Sequence, residues 1–352
     1  MLPFPAFQHP IVQAPMAGGP STPELTAAVS NVGAFGFLAA GYKKVDAVRA
    51  ELRRTRELTT RPFGLNLFVP SEPAADAGAV QRYVGTLQRE STVHGAALGS
   101  PRHDDDAWSE KLALAIEERV PVLWFTFGCP ARDVVERLHA QGIAVWVTVT
   151  ELSEGLASAE AGADALVLQG VEAGGHRGTF VDADGSGEVG VLALLRLCAR
   201  RLSLPLVAAG GIADGAAVAA VLAAGAQAAA IGTGFLRCPE AATNAPLRSA
   251  LARAVERPTP TALTRAFTGR RGRGLVNRFL VEHSPGAPAA YPELHYLTQP
   301  LRAAAIAAGD SEQINLWAGQ AHALAEEQPA AALVERWSAE AKAALERAAA
   351  RL

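Results

Sequence analysis

VPVLWFTFGCPARDVVERLHAQGIAVWVTVT, residues 120–150, decides the fold. Its two ends, VPVLWFTF (120–127) and IAVWVTVT (143–150), are apolar on both alternating faces. A strand buried between a barrel interior and a ring of helices requires that pattern. The middle, Ala131–Gln141, reads as a helix, and Gly142 stands where a residue free to adopt positive φ ends one.

The same unit recurs on either side. With Val120–Thr126 and Ile143–Val149, short runs at Ile11–Ala14, Phe35–Ala39, Phe63–Phe68, Ala165–Leu168, Pro205–Ala209 and Ala228–Ile231 make eight predicted strands. Helical patterns lie between them at Pro23–Asn31, Val45–Leu58, Trp108–Arg119, Glu151–Ala161, Gly190–Arg201 and Ala216–Ala224, with Gly33, Gly162 and Gly225 as further stops. Eight strands alternating with helices over about 230 residues predict an α/β fold, the (β/α)8 TIM barrel. A doubly wound sheet needs fewer strands and a GxGxxG turn after the first, which this chain lacks.

Two stretches break the repeat. Val69–Asp106 is rich in Pro, Ala and Asp, and Arg237–Pro300 carries helical patterns interrupted by Pro258-Thr259-Pro260 and by GRRGRG (269–274). Both leave the barrel where strands emerge, so they predict a mainly helical lobe over the mouth. The expected division is a barrel of residues 1–69, 107–236 and 310–352, with a substrate-side lobe of 70–106 and 237–309. Leu301–Ala308 and Ile314–Arg351 read as amphipathic helices covering the barrel's outside.

With 352 residues, 49% hydrophobic and 19% charged, the composition is that of a globular chain with a sizeable core. The 32 basic and 35 acidic residues nearly cancel, which argues against nucleic acid or a membrane surface as partner. Cys129, Cys198 and Cys238 have no CxxC spacing, and the histidines have no ligand spacing, so neither disulfides nor a metal is expected. Met1–Pro5 lacks the features of a signal peptide, and Leu204–Phe235 is broken by Gly210-Gly211, Asp214 and Gln227. A cytoplasmic monomer or homodimer is expected.

In a barrel, chemistry sits on the loops that follow the strands. Gly210-Gly211-Ile212-Ala213-Asp214 and Gly232-Thr233-Gly234 follow the seventh and eighth predicted strands, where backbone N–H groups can approach a phosphate. After the sixth comes QGVEAGGHRGTF (169–180), four glycines around His176 and Arg177. An imidazole presented at a strand end suits proton transfer near neutral pH. Gln13–Gly19 makes a compact apolar turn, and Asn66 is a lone amide in FGLNLFVP, either a contact for a heterocycle edge or a buried group satisfied by backbone. Phosphate site, apolar wall, Asn and Gln together describe a flat heterocycle with a phosphate tail, for which FMN is the economical candidate.

PIVQAPMAGG (10–19), GLNLFVP (64–70), VLQGVEAGGHRGTF (167–180), AAGGIADG (208–215), IGTGFLRCPEA (231–241) and INLWAGQ (314–320) together resemble nitronate monooxygenase, formerly 2-nitropropane dioxygenase, of the bacterial class I group. The resemblance runs over nearly the whole chain. It implies an FMN-dependent enzyme that oxidises alkyl nitronates, such as propionate 3-nitronate, with O2 to carbonyl compounds plus nitrite or nitrate, without NAD(P)H. It further implies Asn66, Gln169, Gly174, Gly211 and the turn Ala230, Ile231, Gly232, Thr233 as FMN-binding positions, Ala14 and Met16 along the flavin face, and His176 as the catalytic histidine. The family commonly has Gln where this chain has Ala230. Tyr291 and Tyr296 fall where the family places substrate-facing aromatics. Two other readings stay open: an NAD(P)H-dependent FMN enoyl-thioester or quinone reductase of the same superfamily, and a non-catalytic flavin-binding module that contacts a partner through GRRGRG.

Overall fold

The computed structural model describes residues 2–74, 76–257 and 259–352; Met1 and Pro258, the latter part of the expected interruption at 258–260, lie outside them. Eight parallel strands form the barrel: β1 (Ile11–Gln13), β2 (Phe37–Ala39), β3 (Gly64–Phe68), β4 (Val122–Thr126), β5 (Ala144–Val149), β6 (Ala165–Gln169), β8 (Leu206–Ala209) and β9 (Ala228–Ile231). β1 pairs with β9, and the bridge between Val12 and Phe35 closes the ring toward β2. The intervening helices are α1 (Pro23–Asn31), α2 (Val45–Leu58), α5 (Trp108–Glu117), α6 (Arg132–His139), α7 (Leu152–Ala161), α8 (Val191–Ala199) and α9 (Gly215–Ala223).

The two-faced apolar pattern of the strands divides between two cores. Val12, Phe37, Trp124, Trp146, Val167 and Val207 fill the barrel interior, whereas Ile11, Leu38, Leu123, Val145, Leu166 and Ile231 face the helices. Large rings stand opposite small residues (Ala144, Ala165, Ala209, Ala228, Ala230), which lets one layer interdigitate with the next. Phe4 stacks on Trp146 at 5.1 Å between centroids and plugs the end of the barrel away from the site.

The lobe has its own core. α3 (Ala77–Leu87) and α4 (Glu90–Val93) come from the first insertion; α10 (Ala245–Glu256), α11 (Arg278–His283) and α12 (Glu293–Ala308) follow β9. Val80, Tyr83 and Leu87 pack on Phe267, Phe279, Leu294 and Leu297. Glu90 ties the two insertions together, pairing with Arg278 at 2.7 Å and accepting from Gln313 at 2.6 Å. The Arg278 hydrogen bond above all holds its carboxyl down at about 2.

Three expectations need correction. The lobe is not helical alone: β7 (Gly175–His176), β10 (Thr261–Thr264) and β11 (Gly272–Leu275) form an antiparallel sheet in the order β10-β11-β7. GRRGRG runs through this sheet, so Arg270, Arg271 and Arg273 are buried, and Arg271 pairs with Asp182 at 2.8 Å. Ile314–Arg351 is not one helix, since only α13 (Ala330–Ala349) covers the barrel outside, against α9 and α1. Residues 314–320 run extended beside β11, where Leu275 donates to the Leu316 carbonyl at 2.9 Å. Ile314, Leu316 and Ala318 are buried with period two, the alternation of a strand. α12 begins at Glu293, earlier than Leu301, and it lies over the cavity because Leu294, Leu297 and Leu301 enter the lobe core.

Candidate active site

A cavity of about 300 Å³ opens at the C-terminal ends of the barrel strands, between barrel and lobe. Of the site residues expected from sequence, Ala14, Met16, Asn66, Gln169, Gly174, His176, Gly211, Ala230, Gly232 and Thr233 line it. Ile231 does not, because its side chain faces the helical ring. Tyr291 and Tyr296 are also absent from this wall and instead border a second, smaller cavity. Tyr291 still lies edge-on to His176 at 5.7 Å, and its hydroxyl donates to that of Tyr42 at 3.0 Å. Tyr296 carries the Arg102 guanidinium on its ring at 3.6 Å.

His176 sits on β7 rather than in a free loop. Gln169, at the end of β6, donates from Nε2 to the His176 carbonyl at 2.9 Å and accepts from the Gly178 N–H at 2.8 Å, so both ends of its amide hold that strand. Arg177, directly after β7, turns away from the cavity and is fully buried. Its guanidinium donates to the carbonyls of Gly170 at 2.7 Å and of Gln169 and Gly187 at 2.8 Å, gathering the loop around one cation. The imidazole is walled by Trp317 at 5.3 Å and Phe127 at 5.8 Å. Tyr42 and Phe127, both on the cavity wall, have φ of 66° and 77°, left-handed values that side-chain-bearing residues hold only where the surroundings enforce them.

Burial first, and then the Arg270 guanidinium, push the His176 pKa down to about 3, with Arg302 adding to the effect and Asp182 opposing it. The imidazole is neutral at physiological pH. Its Nε2 stands 2.8 Å from the Thr268 hydroxyl, and that hydroxyl donates to the Arg270 carbonyl at 3.2 Å. Thr268 therefore accepts, Nε2 carries the proton, and Nδ1 keeps the free lone pair. That is the tautomer of a base.

The loops after β8 and β9 present donors without protein partners. Among the described residues, the N–H groups of Gly211, Ile212 and Gly232 have no protein acceptor. Asp214 caps α9 through the Ala217 N–H at 2.7 Å, so the helix N-terminus stands directly behind these amides. The extended 314–320 segment is fastened over this wall: the Gly319 N–H donates to the Thr233 hydroxyl at 3.0 Å and the Gln320 N–H to the Glu172 carbonyl at 2.9 Å. Gly174 is required here, since a Cβ would stand 2.4 Å from the Gly319 nitrogen and 2.5 Å from the Ala318 carbonyl carbon. Asn66 donates to the Trp124 carbonyl at 2.7 Å and Thr126 Oγ1 at 3.0 Å, and Thr126 and Thr148 continue a polar row across the mouth at 3.2 Å. The amide nitrogen of Asn66 is engaged in the wall, and the residue itself lines the cavity.

Sequence reasoning missed Thr126, Thr148, Thr268, His295, Arg302, Asn315 and Trp317, all on this wall. The two strand threonines had a signal, since Thr126 closes the apolar run of β4 and Thr148 is the one polar residue within that of β5. Thr268, His295 and Arg302 had none, because the lobe's folding alone brings them here.

A closed eight-stranded barrel with a neutral, oriented histidine and free amides at its C-terminal mouth defines a (β/α)8-barrel enzyme, built for small-molecule chemistry. The chain belongs to the nitronate monooxygenase family, whose family model, described as "Nitronate monooxygenase", matches residues 5–340. It is 40% identical to the nitronate monooxygenase of Paraburkholderia phytofirmans over 98% of this chain and 96% of the relative. It is 42% identical to that of Pseudomonas aeruginosa over 93% and 94%. The crystal structure of nitroalkane oxidase from Streptomyces ansochromogenes superposes with a TM-score of 0.93 at 48% identity, covering 97% of this chain and 98% of that one. FabK from Thermotoga maritima has the same architecture at a TM-score of 0.76 and 27% identity, covering 98% and 96%. The protein is an oxidoreductase. Among the described residues no helix is long and apolar enough to cross a membrane.

Proposed function

We propose that the protein is an FMN-dependent nitronate monooxygenase that oxidises alkyl nitronates, propionate 3-nitronate among them, with O2 to carbonyl compounds plus nitrite or nitrate, without NAD(P)H. The partnerless N–H groups of Gly211, Ile212 and Gly232 fit a phosphate, and the apolar turn at Ala14 and Met16 with the amides of Asn66 and Gln169 fits a flat heterocycle. Gly174, Ala230 and the backbone of Ile231 and Thr233 complete the set of binding positions. Bound there, the flavin supplies one-electron acceptance and reaction with O2. We further propose the division into a barrel of residues 1–69, 107–236 and 310–352 and a lobe of 70–106 and 237–309, acting as a cytoplasmic monomer or homodimer.

The placement of His176 carries the assignment of its role: it lines the cavity, and the bond between its Nε2 and the Thr268 hydroxyl leaves Nδ1 with its lone pair. A nitronate is already deprotonated and asks no base of the protein, whereas a neutral nitroalkane must lose its α-proton. His176 Nδ1, held by the Nε2–H bond to Thr268, is the group that takes it. The similar Streptomyces protein is called a nitroalkane oxidase, which agrees with both substrate forms being used. The purified protein should be yellow and take up oxygen with a nitronate and no NAD(P)H. His176→Asn should keep the flavin and lose nitroalkane oxidation by about 10²–10⁴-fold, the size of a general-base contribution, with nitronate oxidation falling less. Full nitroalkane activity in that variant would refute the assignment.

The FabK likeness favours one second reading, an NAD(P)H-dependent enoyl-thioester reductase. NAD(P)H oxidation by the flavoprotein, with no nitronate turnover, would establish it in place of the first.

A further inference from the structure

Tyr42 follows β2 in the turn that leads into α2, one of the strand-end loops that carry function in a barrel. Its φ of 66° is a left-handed value, and contacts from three other parts of the chain enforce it. The backbone N–H donates to Asp106 Oδ1 at 2.9 Å, and that carboxylate pairs with the buried Lys111 at 2.7 Å. The ring stacks on His295 of α12 with centroids 4.0 Å apart and stands edge-on to Phe68 of β3 at 5.4 Å. Gly41 lets the turn come this close, since a Cβ there would lie 2.2 Å from the Phe68 ring.

The Tyr42 hydroxyl accepts from Tyr291 at 3.0 Å, and among the described residues no acceptor takes the proton that it carries itself. Burial above all pushes its pKa well up, so that proton stays in place. Other polar groups nearby are committed. Thr268 donates to the Arg270 carbonyl, and the Arg302 guanidinium donates to Thr298 Oγ1, Asn315 Oδ1 and the His295 carbonyl. Tyr42 lines the cavity as His176 does, and the Tyr291 ring, 5.7 Å from the imidazole, joins the two. A chain of two hydroxyls, the first polarising the second, therefore ends in a donor on the same wall as the base.

We propose that Tyr42 is a catalytic residue whose hydroxyl donates a hydrogen bond to a nitro oxygen of the substrate while His176 removes the α-proton. This rests on the nitroalkane role given to His176 above. The Cα–H bond breaks and its proton goes to Nδ1; the electron pair left on carbon forms the C=N bond, and the N=O π pair moves onto oxygen. Tyr42 keeps its own proton throughout. Negative charge grows on the oxygens in that step, so a donor placed there binds the transition state more tightly than the neutral substrate.

The test compares Tyr42→Phe and Tyr291→Phe in the flavin-loaded enzyme. Both lose the same hydroxyl–hydroxyl bond, but only the first removes the donor on the wall. In Tyr42→Phe, kcat/KM for a nitroalkane should fall roughly 10- to 100-fold, as for one lost hydrogen bond to a developing charge, and the fall should come through kcat. For the corresponding nitronate, whose oxygens arrive already charged, the loss should appear in KM. Tyr291→Phe should stay within a few-fold of wild type on both substrates. It also controls for folding, because loss of the shared bond should lower the two melting midpoints alike. Equal losses in both variants, or unchanged nitroalkane kinetics in Tyr42→Phe, would overturn the donor role and leave the nitronate reading standing. A wild type that oxidised neither nitroalkane nor nitronate would remove both.

Discussion

Two neutral histidines on one cavity wall make a folded state that weakens below neutral pH. His176 and His295 have pKa values pushed down to about 3 and about 2, against about 6.5 in an unfolded chain. Between these limits the unfolded chain binds protons that the folded one refuses. The stability associated with neutral imidazole is thus complete above pH 6.5 and is lost as pH falls. At 1.36 kcal/mol per pH unit, the step from pH 7 to pH 5 costs about 2 kcal/mol per histidine. Glu90, held down at about 2, contributes stability that is full above its unfolded value of 4.5 and is lost only as pH falls below that, outside the pH 7 to 5 window. Urea denaturation of the purified protein at pH 7, 6 and 5 measures the slope. His176→Asn removes one of the two titrations, so the loss over that window should shrink by about 2 kcal/mol relative to wild type. An unchanged slope in the variant, or a His176 ring resonance titrating near pH 6.5, would refute the burial argument and with it the neutral base.

Two further outcomes follow from the packing around β7. Arg177→Met removes three hydrogen bonds to carbonyls, partly offset by relief of a buried charge, for a net loss of about 2–4 kcal/mol. Over 352 residues that lowers the melting midpoint by roughly 3–5 °C, readable by calorimetry, and a shift under about 1 °C would show the clasp to be dispensable. Gly174→Ala places a Cβ against the backbone of Ala318 and Gly319 and should loosen the segment over the amide loops, lowering the flavin content on purification, whereas Gly286→Ala, whose Cβ would meet nothing within 4 Å, should leave it unchanged.

The barrel was legible because strands buried on both faces have a distinctive composition. Val120–Thr126 and Ile143–Val149 lack a polar face, and only a layer covered on each side accommodates them. The glycine-rich turns after β8 and β9 and the His176 segment were legible because strand ends in a barrel converge by construction. The lobe was harder to read. GRRGRG has the composition of a solvated basic loop, and only pairing with β7 and β10, together with Asp182 and Glu188 opposite Arg271, makes burial of those arginines possible. Residues 314–320 were submerged in a long Ala-rich helical pattern, although Ile314, Leu316 and Ala318 carry the period of two that the structure uses.

The sequence by itself determined the eight strands, their order and the loops that face one another at the barrel mouth, because these follow from local patterning and the geometry of closure. Tertiary structure alone decided the protonation of His176 and the company of Arg302. Charge state depends on burial and on neighbours such as Arg270, Thr268 and Asn315, which lie some 90 residues away from His176 or on different segments of the lobe. Desolvation and Coulomb energies act through distance in space, which composition and periodicity do not record.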